Sequence, residues 1–212
     1  MTNISIDILE STNEITTRIL NALLPQVTTF FDKAFDNCEN NINNIISEAI
    51  IASPEYQSIQ SGKLRYEFGL PDSDARLSSI LSIISNIKTN YNKPKISKSQ
   101  IQGSFSLYMI PSDYSELLSS SAAIFTTEKG SKLEWLKWLL LLGDKTIIKD
   151  YVVEIGPNSR SRTGNAIMVG SVKGRWNVPP EFAGTKNNNW ITRAIDSVND
   201  NIEQLLAKSL RI

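Results

Sequence analysis

Apolar residues recur at steps of three and four along the first quarter of the chain, at Ile19, Leu20, Leu23, Leu24, Val27, Phe31, Ala34, Cys38, Ile42, Ile45 and Ala49. That spacing draws one face of an α-helix between Ile15 and Ile51, with Asp32, Asp36 and Glu39 lying off it. Pro25 interrupts the pattern without shifting its phase, so it either kinks one long helix or occupies the first turn of a second. An arm of this kind, up to roughly 50 Å at 1.5 Å per residue, needs cover for its apolar side. Two readings are open: it packs on its own domain, or it lies against a neighbouring subunit. Ser53-Pro54 stops it, because the residue before a proline avoids helical geometry.

Ser61 to Leu70 reads as a turn followed by an alternating segment, a short strand. Pro71, Asp72 and Ser73 open a second helix with Leu77, Ile80, Leu81, Ile84 and Ile87 on one face. Asn90 to Gln102 is polar and carries Lys93, Lys95 and Lys98; it reads as a solvated loop, with a nucleic-acid contact as the functional alternative. Gly103 to Ile110 alternates like a strand that Pro111 ends. A short helical piece over Tyr114 to Leu118 and a strand over Ala122 to Thr127 follow. Ser131 and Glu134 have the spacing of a capping box, so a helix is predicted from there through Trp135 and Trp138 to Leu142, with Gly143 as its stop. It is apolar nearly all round, which places it in the core or against another chain.

Thr146 to Ile155 and Ala166 to Val172 read as strands of an antiparallel hairpin, joined by a long, turn-rich, arginine-bearing loop. A loop from Trp176 to Thr185 leads to Asn187–Asn189, which cap a last helix with Ile191, Ala194, Ile195, Val198, Ile202, Leu205 and Leu206 inward. The fold class that results is α+β: a small antiparallel or mixed sheet flanked by a long N-terminal helix and a C-terminal helix. One domain is expected over residues 1–212, with an extended helical arm over about 1–52. No internal repeat or linker breaks it.

Composition then removes whole classes of chemistry. The chain has no histidine, which excludes Ser-His-Asp and Cys-His triads and the usual zinc sites. Its single cysteine, Cys38, excludes an intrachain disulfide and reads as a small buried hydrophobe on the helical stripe. No phosphate-binding loop, zinc-protease helix, nucleophile elbow or calcium loop occurs. No catalytic or metal-binding residue and no cofactor is therefore expected. Lys plus Arg equals Asp plus Glu, 22 of each, which argues against strong DNA binding by the chain as a whole but leaves room for a local basic patch. The first residues have no basic, long-apolar signal pattern, and the longest apolar run, Trp138 to Leu142, is far short of a membrane span.

The stretch from Val152 to Ile195 mixes bulky residues with Gly164, Pro179, Pro180 and Gly184, as a loop held rigid for a partner would. Pro179 and Pro180 limit the freedom of the unbound chain, and Trp176 and Phe182 offer large apolar area, either to an interface or to the chain's own core. Glu181 is a candidate partner for Arg160 or Arg162 of a neighbouring copy. Arg160, Arg162, Lys173 and Arg175 form the densest basic set; they decorate a solvated loop, or meet acidic residues of an adjoining subunit, or DNA.

These segments resemble the neck and tail-completion proteins of long-tailed bacteriophages, the small head–tail connector subunits. In that family a long N-terminal helix ends near a proline and a Gly-x-Leu-Arg-type turn, here Ser53-Pro54 and Gly62-Lys63-Leu64-Arg65. A sheet, a loop with Glu-aromatic-Gly-Thr and a last helix opening on an aromatic and an Arg-Ala pair complete it. Here these read Glu181-Phe182-Ala183-Gly184-Thr185, with Ala183 inserted, then Trp190-Ile191-Thr192-Arg193-Ala194. Leu70 to Thr127 has no counterpart. The resemblance implies a virion structural protein without catalysis, assembled in the host cytoplasm as a ring, a hexamer, between the head connector and the tail. Its partners would be copies of itself, the neighbouring connector and tail proteins, and DNA passing through the lumen, with no membrane; Trp190 and Arg193 join the interface set. The alternatives are a tail terminator or sheath-associated ring, or, from other classes, a small soluble enzyme or a nucleic-acid-binding module.

Overall fold

Ser11 starts the first helix. Its hydroxyl accepts from the Glu14 N–H at 3.3 Å while the Glu14 carboxylate accepts from the Ser11 N–H at 2.8 Å, a capping box at the head of α1 (Thr12–Ala52). The computed structural model describes residues 10–85, 88–108 and 114–211; residues 1–9, Ile87, Ile110 and Pro111 of the sequence reading lie outside the described residues. Pro25 lies inside α1, so the first apolar stripe belongs to one continuous helix. At Ser53 the chain leaves helical geometry and immediately re-enters it, because Ser53 Oγ accepts from the Tyr56 N–H at 3.3 Å and Pro54 fits the first turn of α2 (Pro54–Ser61).

The fold is α+β, with eight helices and three separate two-stranded antiparallel sheets among the described residues, a long helix near the N-terminus and a helix at the C-terminal end. After α2 come α3 (Lys63–Phe68), α4 (Ser73–Ile84), β1 (Lys88–Ser97), β2 (Gln100–Tyr108) and α5 (Ser115–Ser119). β3 (Phe125–Thr126), β4 (Lys132–Leu133), α6 (Trp135–Leu141), β5 (Ile148–Ile155), β6 (Ala166–Trp176), α7 (Trp190–Asp196) and α8 (Asn199–Ser209) complete the order.

Four segments differ from the sequence reading. Lys63–Phe68 is a helix rather than a strand: Leu64 and Phe68, four apart, are both buried, and Gly69 closes the turn with a left-handed φ of 62°. Residues 90–102 are not a loop but most of a β-hairpin whose two-residue turn, Lys98 and Ser99, has φ of 47° and 60°. Ser131 caps nothing; the next two residues pair with Phe125 and Thr126, and α6 starts only after Glu134, whose carboxylate binds Lys137 at 2.9 Å instead. The last helix is broken at Ser197–Val198 into α7 and α8.

Chain contacts divide the molecule into two compact units. The first holds Met1–Asn41, Lys88–Tyr108 and Gln204–Ile212. Inside it the aromatic side of the β1–β2 hairpin lies on α1: Phe35 stacks on Tyr91 at 4.8 Å, and Phe31 and Phe35 meet Phe105 edge-on at 6.5 and 5.8 Å. Tyr91 and Thr89 anchor the hairpin's base by donating their hydroxyls to Asp32 and Glu39 at 2.6 and 3.0 Å. Burial, that bond and the charges of Asp32 and Asp36 push the Tyr91 phenol up to about 12. Cys38 is fully buried, as a small hydrophobe would be.

The second unit holds Ile42–Ile87 and Met109–Glu203 and contains the larger core, in which Ile46, Ile59, Leu77, Leu117, Trp135 and Trp190 are fully enclosed. Buried indole nitrogens are satisfied: Trp135 Nε1 donates to the Ala122 carbonyl at 2.9 Å. Arg76 holds the turn before β3 by donating to the carbonyls of Ser121, Ala122 and Ile124 at 2.9–3.2 Å while pairing with Asp72.

Candidate functional site

The loop after β6 is built on two aromatic anchors and one glycine contact. Trp176 is buried against Phe68 and Trp138, ring centroids 5.8 and 5.9 Å away, and its indole N–H donates to Glu67 Oε2 at 3.1 Å. Burial raises the Glu67 carboxyl above its ordinary value, against the lowering effects of that hydrogen bond and of Lys63. Val178 and Pro179 are buried, and the N–H groups of Phe182 and Ala183 return to the Pro179 carbonyl at 2.9 and 3.0 Å. The loop then touches the chain two residues after α6, where the Gly143 N–H donates to the Gly184 carbonyl at 3.2 Å. A Cβ on Gly143 would lie 2.5 Å from Gly184 N, and one on Gly184 2.4 Å from the Leu139 carbonyl oxygen. Only glycines allow this approach.

Asn189 and Arg193 lock the loop's far end. Asn189 is fully buried; its Oδ1 accepts from the Ile191 and Thr192 N–H groups at 3.1 and 3.3 Å, and Thr192 Oγ1 accepts from the Asn189 N–H at 2.8 Å. Asn189 Nδ2 donates to Tyr114 Oη and the Thr185 carbonyl, each at 3.0 Å. Arg193 Nη2 reaches Glu55 Oε1 at 2.6 Å and the Phe182 carbonyl at 3.3 Å, and Nη1 reaches Asn188 Oδ1 at 2.9 Å. Trp190 is fully buried and donates to Ser53 Oγ at 2.6 Å, so one serine both caps α2 and receives α7.

The interface candidates of the sequence reading therefore fall into distinct places. Trp176, Pro179 and Trp190 lie in the chain's own core, because their rings are worth more enclosed with Phe68, Trp138 and Tyr56 than on a surface. Phe182 is half-buried, and Pro180 and Glu181 are exposed. Within the chain Glu181 pairs with Lys63 at 3.2 Å, both side chains exposed. Arg160 and Arg162 line a cleft of about 660 Å³ together with Trp138, Met168 and Trp176. The Arg162 guanidinium lies 4.8 Å over the Phe125 ring and close above Gly69, and burial there lowers its pKa. Glu181 and Arg193 line a separate groove of about 580 Å³. Glu55, Lys63 and Glu67, which complete these arrangements, were invisible as partners: Glu55 and Arg193 are 138 residues apart.

No family model, curated protein or solved structure matches the chain. Among the described residues no helix is long and apolar enough to cross a membrane, and no three Cys, Asp or Glu side chains gather where they could hold a metal ion.

The remaining surface feature is apolar. Ile19 and Leu23, adjacent on one face of α1, are 54% and 44% exposed, and on the β5–β6 hairpin Val172 is 92%, Ile155 59% and Tyr151 45% exposed. Among the described residues, six of the seven large exposed hydrophobics sit on α1 and the β5–β6 hairpin; Ile19 and Leu23 belong to the first unit, and Ile51, Tyr151, Ile155 and Val172 to the second.

Proposed function

We propose that this chain is a structural subunit of a tailed bacteriophage particle, a neck or tail-completion protein that forms a closed ring joining head connector to tail. The observation that carries the assembly part is exposed apolar side chains on two unlike elements of one chain, Ile19 and Leu23 on α1 and Val172, Tyr151 and Ile155 spread along the β5–β6 hairpin. A self-complementary dimer needs a single patch, whereas a head-to-tail ring needs two different ones on each copy. In this reading the first half of α1 of one copy covers the β5–β6 hairpin of the next. The position in the particle, and six as the number of copies, come from the resemblance of the proline-ended helix, the Glu181–Thr185 loop and the Trp190–Ala194 helix start. The rigid loop at Trp176–Thr185 then acts from within, holding the hairpin's end and α7 in fixed geometry. Catalysis and cofactors have no part in it.

Light scattering after size exclusion, with images of negatively stained particles, tests the proposal. A ring of defined copy number, alone or once connector particles are added, is expected. A chain that stays monomeric at high concentration and binds no connector particle contradicts it.

A further inference from the structure

Residues 88–108, the β1–β2 hairpin, contain four lysines and no acidic residue, in a chain whose charges otherwise balance, so the rest carries an excess of four acids. Lys93, Lys95 and Lys98 are exposed, and none of them makes an ion pair among the described residues. Like charges this close repel one another, and a hairpin that gathers them without placing acids between is shaped for a polyanion. The acids of α1 near the hairpin, Asp32, Asp36 and Glu39, gather at its base, where Asp32 and Glu39 accept from Tyr91 and Thr89. Lys93 and Lys95 lie further along, beside Val27 and Phe31, and between Glu14 and Asp32 the helix carries a single charge, Arg18.

We infer that the β1–β2 hairpin is a contact for the phosphate backbone of duplex DNA. A bulge between Asn92 and Lys95 breaks the register, and a Cβ on Gly103 would come within 2.9 Å of the Pro94 ring, so ribbon and bulge fit each other closely. The outward residues beside the lysines, Asn90, Asn92, Gln100, Gln102 and Ser104, are uncharged hydrogen-bonding groups suited to phosphate and sugar. Single-stranded nucleic acid would need free aromatic faces to stack on. Tyr91 and Phe105 are already covered by Phe31 and Phe35. The inference rests on the hairpin's own charge and geometry and holds or fails independently of the ring.

The test is fluorescence anisotropy of a labelled 30-base-pair duplex with the full chain, at several salt concentrations. Three phosphate contacts make the affinity fall roughly 40-fold between 50 and 200 mM salt. The triple variant Lys93→Gln, Lys95→Gln, Lys98→Gln should lose most binding and flatten that slope, with its melting temperature unchanged because the three side chains are exposed. Arginine at the same three positions should restore it, and Arg160→Gln with Arg162→Gln should bind like the wild type. Absence of binding at 50 mM salt, or a glutamine variant that binds as well as the wild type, overturns the inference. So does polyglutamate of equal charge binding as tightly as the duplex, which would point to an acidic protein. Light scattering on the same samples reads ring formation separately: a monomer that binds DNA shows that this contact stands without the ring.

Discussion

Arg193 Nη2 lies 2.6 Å from Glu55 Oε1, tying the first turn of α2 to α7, and the same guanidinium holds the Phe182 carbonyl. Glu55's side chain is only 5% exposed, whereas Arg193 keeps 35% of its surface. Removing the arginine leaves a carboxylate buried without its counter-charge, and truncation of such pairs is costly. With Arg193 partly in solvent, Arg193→Ala is expected to cost about 2–3 kcal/mol in denaturant unfolding. Lys63→Ala, which removes the exposed partner of Glu181, should cost under about 1 kcal/mol.

The contact of Gly143 with Gly184 gives a steric prediction. Each would place a Cβ against backbone at 2.5 Å or less, and backbone cannot swing aside. Gly143→Ala and Gly184→Ala should each destabilise by about 1–3 kcal/mol, read as a lower melting temperature. Gly170→Ala, where a Cβ meets nothing within 4 Å, should stay within about 0.5 kcal/mol.

Glu67 gives a pH dependence. Because burial raises its carboxyl, the folded chain holds this proton more tightly than the unfolded chain does. That contribution is fully present at acidic pH and is lost as pH rises from the ordinary carboxyl value through the raised one. Glu67→Gln keeps an acceptor for the Trp176 indole and cannot ionise. Its stability relative to the wild type should improve as pH rises above the ordinary carboxyl value. A difference that stays flat as pH rises through and above the ordinary carboxyl value would show that burial does not raise this carboxyl.

Trp176 and Phe182 separate core from surface. Trp176→Ala is expected to cost about 3–5 kcal/mol, the loss of a buried aromatic, while half-buried Phe182→Ala costs less. Equal, small losses for both would contradict the enclosed position of Trp176.

How much of this was legible follows from range. Local signals read true: the apolar stripe of α1, the Ser53-Pro54 stop, the Asn189 cap and the β5–β6 hairpin each depend on residues within a few positions of one another. The strand read from Gly103 onward is the greater part of β2, but β1 and the pairing hid because the turn is Lys98-Ser99, without the Asn-Gly or Asp-Gly that marks positive φ, and because few residues of β1 are apolar. Ser131 and Glu134 have capping-box spacing, but pairing of Lys132 and Leu133 with β3 won over it. The site's own logic is long-range: Arg193 with Glu55 and Trp190 with Ser53 join residues far apart in sequence, and no spacing announces such pairs.

The ring reading is tested most directly by mixing two variants that each lack one surface. Ile19→Glu with Leu23→Glu removes the helix patch, and Val172→Glu alters the hairpin patch; all three side chains are exposed, so both chains should fold. Each variant alone should be monomeric by light scattering, because every head-to-tail contact then has one defective side. Mixed in equal amounts, they should form a one-to-one heterodimer and nothing larger, since one good helix face meets one good hairpin. Assembly by either variant alone, or an equimolar mixture that forms no complex, contradicts the proposed interface.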